Sequence, residues 1–130
     1  MRTITIADYV PPGVPVVELA EFLDLLGPLA ERARWTIGED MLCTGEMDGD
    51  FELMRLGVRH STIDGRRLRT LALTVEAILE GTLTAHLPGE SEPWMTVRFF
   101  KNQCVDVSTT DLRALRCLRH RFVDVVTWAF

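Results

Sequence analysis

The stretch Asp64–Glu80, reading DGRRLRTLALTVEAILE, constrains this chain more than any other. Leu68, Leu71, Ala72, Val75, Ile78 and Leu79 recur at the three- and four-residue spacing that gathers side chains onto one face of a helix. Ser61, Thr62 and Asp64 precede this segment as potential N-caps, and Gly81 follows it as a stop. The spacing predicts one amphipathic helix over 64–80. Such a helix must lay its apolar stripe on something, and the runs that follow alternate with a period of two, so the natural partner is a sheet.

Those runs are Thr82–Leu87, Trp94–Phe100 and Cys104–Val107, separated by the loop from Pro88 to Pro93 and the polar turn Lys101–Gln103. Connections this short predict an antiparallel meander. Upstream, Thr3–Ile6 reads as an edge strand closed by Pro11-Pro12-Gly13. From Pro15 a first helix of about 11 residues is expected to run to Gly27-Pro28, with Leu29–Arg34 a short second turn. Trp35–Ile37 and Met41–Thr44 suggest a hairpin or a bent strand. Asp48-Gly49 is a two-residue turn signal, which predicts Leu42–Gly45 and Phe51–Leu56 as paired strands. Thr109 or Thr110 would cap a last helix with Leu112, Leu115, Cys117, Leu118 and Phe122 as its stripe, and Phe122–Trp128 would close the chain as a strand. The class implied is α+β: one domain over 1–130, a mostly antiparallel sheet of about five to seven strands, and about three helices packed on one face.

Charge removes several functions from consideration. A net charge of −5 argues against binding the backbone of DNA or RNA and against an anionic membrane surface, since both need clustered cations. No run approaches the ~18 apolar residues of a membrane span, and the N-terminus lacks the apolar core of a signal peptide. Cys43, Cys104 and Cys117 are odd in number and form no CxxC pair, which fits small buried hydrophobes in a reducing cytoplasm. The expectation is a cytoplasmic protein without cofactor or metal.

Candidate chemistry is sparse. Glu46, Asp48, Asp50 and Glu52 alternate in EMDGDFE, but the segment lacks the Gly and distal Glu of a calcium loop, and a solvated acidic turn explains it better. Arg66, Arg67 and Arg69 crowd the first turns of the expected central helix, where cations oppose the helix dipole. With Arg59 and His60 they form the best small-anion or phosphate site in the sequence, the plainer reading being neutralisation by neighbouring carboxylates. His60, His86 and His120 show no zinc-ligand spacing, and none of the cysteines sits in a nucleophile motif.

Two apolar features point outward. Alternation puts Trp94, Thr96, Arg98 and Phe100 on one face of a strand and Met95, Val97 and Phe99 on the other. If the second set faces the helices, Trp94, Arg98 and Phe100 form a surface composed like a protein contact site. The C-terminal run Val125–Phe130, with Trp128 and Phe130, either pairs with another chain or is sealed into its own sheet. The expected function is that of a small acidic, non-catalytic protein acting through protein–protein contact as an inhibitor, immunity-type protein or chaperone-like adaptor, and forming a homodimer. The alternative is a small-ligand or enzymatic domain whose anion site is Arg59, Arg66, Arg67 and Arg69.

Overall fold

A computed structural model describes residues 1–128. Strands β1 (Arg2–Ile6), β2 (Arg34–Ile37), β4 (Thr62–Asp64), β5 (Ile78–His86), β6 (Met95–Phe100), β7 (Cys104–Thr109) and β8 (Val125–Trp128) form one antiparallel sheet in the order β4-β2-β5-β6-β7-β1-β8. A short β3 (Leu42–Cys43) pairs with β5 beyond the end of β2, making eight strands. Five helices complete the α+β fold: α1 (Leu19–Leu26), α2 (Pro28–Arg32), α3 (Asp48–Val58), α4 (Gly65–Ala72) and α5 (Leu112–Arg121).

Pleating sorts the sheet into two unlike faces. Directly opposed residues share a face, and the register aligns Ile4, Val107, Val97, Leu83 and Ile37 in one buried row. A flanking row runs Thr109, Met95, Ala85, Trp35 and Ile63. Phe22 and Leu23 of α1, Leu53 of α3, Leu68 of α4, and Leu115 and Leu118 of α5 close over these rows in one continuous core. Burying one such side chain contributes about 1.5–3 kcal/mol, so this face sets the register of the strands that contribute to it.

The meander β5–β6–β7 is where alternation places it, although β5 starts earlier, at Ile78. The helix over 64–80 is shorter than its spacing predicts and ends at Ala72. Two long-range bonds stop it. The Thr74 carbonyl, which a continuing helix would offer to Ile78, accepts instead from the Gly49 amide at 3.0 Å. The Glu76 amide donates to the Asp50 carboxylate at 3.0 Å rather than back along the helix. Val75 and Ile78 remain buried, now from a turn and a strand. Gly81 is no stop; it lies within β5, where a Cβ would come 2.6 Å from the Met41 Cε.

The strand pair across Asp48-Gly49 is also overturned, because Asp48–Val58 is a helix. Gly49 is there for close approach: a Cβ would collide with the Thr74 carbonyl. Trp35–Ile37 and Met41–Thr44 are the two arms of a bent strand, pairing with β5 at Ile37–Leu83 and Leu42–Glu80. The first helix begins only at Leu19, while the second turn after Gly27-Pro28 forms as α2. β1 is not an edge, since β8 pairs outside it. The cap of α5 is Asp111, which accepts from the Arg113 and Ala114 amides, and Cys117 is exposed, outside the apolar stripe. No helix among the described residues is long and apolar enough to cross a membrane.

Candidate functional site

The second face of the sheet lacks the buried rows of the first. Its central row runs Thr62, Thr36, Thr84, Thr96, Ser108, Thr3 and Trp128 across seven strands. The next row runs Thr82, Arg98, Asp106, Thr5 and Val126. Threonine suits both demands here: its branched Cβ favours the extended backbone, and its hydroxyl tolerates water. Thr62, Arg98, Val126 and Trp128 are exposed, the other side chains are half-buried by their own neighbours, and none belongs to the core.

Hydrogen bonds order the β7–β1–β8 end of this face. Trp128 Nε1 donates to Thr5 Oγ1 at 2.9 Å, and Thr5 Oγ1 donates to Asp106 Oδ1 at 2.6 Å. Thr3 and Ser108 hydroxyls meet at 2.7 Å. On β6 the Arg98 guanidinium lies 5.2 Å from the Phe100 ring centroid, a cation–π contact, and stands opposite Asp106. Phe100, Val126 and Trp128 are 36%, 46% and 48% exposed. Arg98, Phe100 and Trp128, marked from the sequence, therefore lie on one face of the sheet, with Val126 beside Trp128 on β8 and β6 three strands away. Phe130 lies outside the described residues.

Trp94 does not join them. It precedes β6, is buried, meets Trp35 edge-on at 6.4 Å, and donates from Nε1 to Asp111 Oδ2 at 3.0 Å. Strand parity failed at this position because the residue sits before the pleat begins.

At the opposite end of the same face lies an open cleft of about 710 Å³, lined by Thr36, Asp40, His60, Thr82, Thr84 and His86 among others. Asp40 holds its wall by accepting from the Thr82 amide at 3.1 Å and the Thr82 hydroxyl at 2.9 Å. His60 has φ of +50°, a left-handed conformation uncommon outside glycine. Sequence reasoning put His86 on a polar strand face but had no signal for bringing His60 beside it, because that depends on how α3 ends.

The arginine cluster is split. Arg66 and Arg67 line a depression of about 370 Å³ with Glu52, Ile63, Thr70 and Leu71. Hydrogen bonding from Arg55 holds the Glu52 carboxyl below the usual carboxylate range, and the charges of Arg67 and Arg59 add to this. Arg69 instead pairs with Asp24 at 2.8 Å and with Glu31, on the α1–α2 side. Asp64 caps α4 by accepting from the Arg67 amide at 3.0 Å.

The acidic segment serves structure. Asp50 is fully buried; its Oδ2 accepts from Thr44 Oγ1 and the Glu46 and Met47 amides at 3.1–3.2 Å, while Oδ1 takes the Glu76 amide. Burial, reinforced by Asp50, pushes the Cys43 thiol up to about 12, and burial with Asp106 raises Cys104. Neither environment generates a thiolate nucleophile near neutral pH. Among the described residues, no three His, Cys, Asp or Glu side chains gather as metal ligands would. No protein-family model, curated protein or solved structure matches the chain.

Proposed function

We propose that this chain is a small, acidic, non-catalytic protein-contact module of the inhibitor, immunity or chaperone-adaptor kind, working in a reducing cytoplasm. Its contact surface is the open sheet face around Arg98, Phe100, Val126 and Trp128. The observation that carries this reading is a sheet face left without a helical layer while displaying Val126, a Trp128 held by its hydrogen bond to Thr5, and an Arg98 in cation–π contact with Phe100. Aromatic residues and Arg are the side chains that anchor protein interfaces. Seven strands at ~4.8 Å spacing span about 29 Å, a platform on the scale of a standard interface. Arg98 beside Asp106 makes the patch self-complementary, so a second copy related by a two-fold axis can set each charge against its opposite. The free thiols of Cys43, Cys104 and Cys117 fit the reducing compartment.

The test is light scattering across a dilution series, with affinity capture from the native host lysate, on the wild type and on Arg98→Glu/Trp128→Ala. A dimer or a stoichiometric complex that the double variant loses, with its melting temperature kept, supports the proposal. A monomer at every concentration whose captured proteins are the same for both chains sinks it.

A second reading, a small-anion site, is favoured by Arg66 and Arg67 lining one depression. It is weakened by Glu52 in the same wall and by the loss of Arg69 to Asp24 and Glu31. Thermal stabilisation by phosphate or sulfate that disappears in Arg66→Ala/Arg67→Ala would move the weight to it.

A further inference from the structure

On the helix side of the sheet, a groove of about 390 Å³ is lined by α5 on one side and by β1 and the edge strand β8 on the other. Leu112, Leu115, Arg116, Arg119 and His120 of α5 form one helical stripe along it, facing Arg2 and Ile4 of β1 and Thr127 of β8. The floor is aliphatic: Ile4 and Leu115 are buried in the core beneath it, and Leu112 is left 53% exposed. The rim is cationic. Helix-dipole stabilisation accounts for Arg119 and His120 in the last turn of α5, but it does not reach Arg116, and Arg2 belongs to another element. None of Arg2, Arg116 and Arg119 is in an ion pair among the described residues, in a chain whose net charge is −5. Arg119 instead donates to the Thr127 hydroxyl across the groove.

We infer that this groove binds a single-chain amphipathic carboxylate: an alkyl tail against the exposed Leu112, and a head group between Arg2, Arg116 and Arg119. Inorganic anions would leave Leu112 wet, and a neutral alkane would leave the arginines unpaired. Only a ligand with both parts uses both. The volume is that of a small-molecule site, not of a protein footprint. The groove faces away from the open sheet face, so this inference stands independently of the contact surface.

Calorimetric titration with hexanoate, octanoate and decanoate tests it, with decanol and inorganic phosphate as single-part controls. The expected result is saturable binding at one site per chain that tightens about fourfold per added methylene, the equivalent of ~0.8 kcal/mol per buried CH₂. Decanol and phosphate should each bind at least tenfold more weakly than decanoate. Arg116→Gln/Arg119→Gln, exposed substitutions that spare the core, should weaken decanoate tenfold or more while preserving the chain-length increment. Leu112→Gln should flatten that increment. No saturable binding, equal affinity in the arginine variant, decanol matching decanoate, or binding only to phosphatidylglycerol vesicles would each overturn the inference.

Discussion

The Asp50 carboxylate accepts the backbone amide of Glu76 at 3.0 Å, tying the first turn of α3 to the bend after α4. The same side chain holds Glu46, Met47 and Thr44, so four donors converge on one fully buried carboxylate. Hydrogen bonds to a charged group are worth about 1.5–3 kcal/mol each, and a donor left unsatisfied costs its own desolvation. Asp50→Ala is expected to destabilise the fold by about 3–5 kcal/mol in urea denaturation. Asp50→Asn keeps the shape but turns an NH₂ toward N–H donors, for a loss of about 2–4 kcal/mol. A loss under about 1 kcal/mol in both would show that the clamp is not needed.

That clamp also explains where the sequence misleads. Leu71, Ala72, Val75 and Ile78 satisfy helical spacing, yet a helix end, a turn and a strand bury the same side chains except the half-buried Leu71. The choice between the two is made by Asp50 and Gly49, too far back along the chain for any local window to include. Asp48-Gly49 fails for a related reason: those residue types suit a hairpin turn and the start of a helix alike, and only the Thr74 carbonyl pressed against Gly49 decides. By contrast β6, β7 and the 81–86 part of β5 were legible, because one buried face imposes strict alternation on each. Arg98 and Phe100 followed from that same parity and Trp128 from the apolar run at the C-terminus, whereas Trp94 sits just outside the strand where parity has no force.

Cys43 makes stability fall in alkaline solution. Its folded-state value is about 12 against 9.0 for the free group, so the native state keeps a proton that the unfolded chain releases between those limits. Its contribution is complete below pH 9.0 and is lost as pH rises toward about 12, at up to ~1.4 kcal/mol per pH unit. Comparing urea midpoints of the wild type and Cys43→Ala from pH 8 to 11 should show a gap that narrows as pH rises. A constant gap would mean that the thiol titrates alike in both states. A thiol reagent at neutral pH should modify exposed Cys117 first and Cys43 only on unfolding.

Gly65 sits at the junction of β4 and α4, donating its amide to the Ala33 carbonyl at 2.9 Å. A Cβ there would meet the Ala30 carbonyl and come 2.7 Å from the Glu31 Cα, so α4 could no longer lie against α2. Gly65→Ala should cost about 2–4 kcal/mol. Gly89→Ala provides the contrast. Nothing lies within 4 Å, but φ is +78°, and the cost should be only the ~1–2 kcal/mol of left-handed backbone. Equal losses in the two variants would refute the steric account.

The relay from Trp128 through Thr5 to Asp106 separates contact from stability on the open face. Trp128 is 48% exposed on the edge strand, so Trp128→Ala should lower folding stability by only about 1 kcal/mol. If the face is a contact site, the same change removes an anchor worth about 2 kcal/mol and weakens self-association or partner capture roughly thirtyfold. Thr5→Val breaks the relay without touching the ring, leaving the indole N–H without its acceptor and Asp106 without a donor. Its effect on association should be smaller than that of Trp128→Ala but in the same direction. Tyr9→Ala, 94% exposed and outside the strands, should change neither quantity. A dilution series read by light scattering, alongside urea melts of all three variants, distinguishes the outcomes. Trp128→Ala that unfolds the chain and weakens association only in proportion would make Trp128 a structural residue and move the contact surface elsewhere.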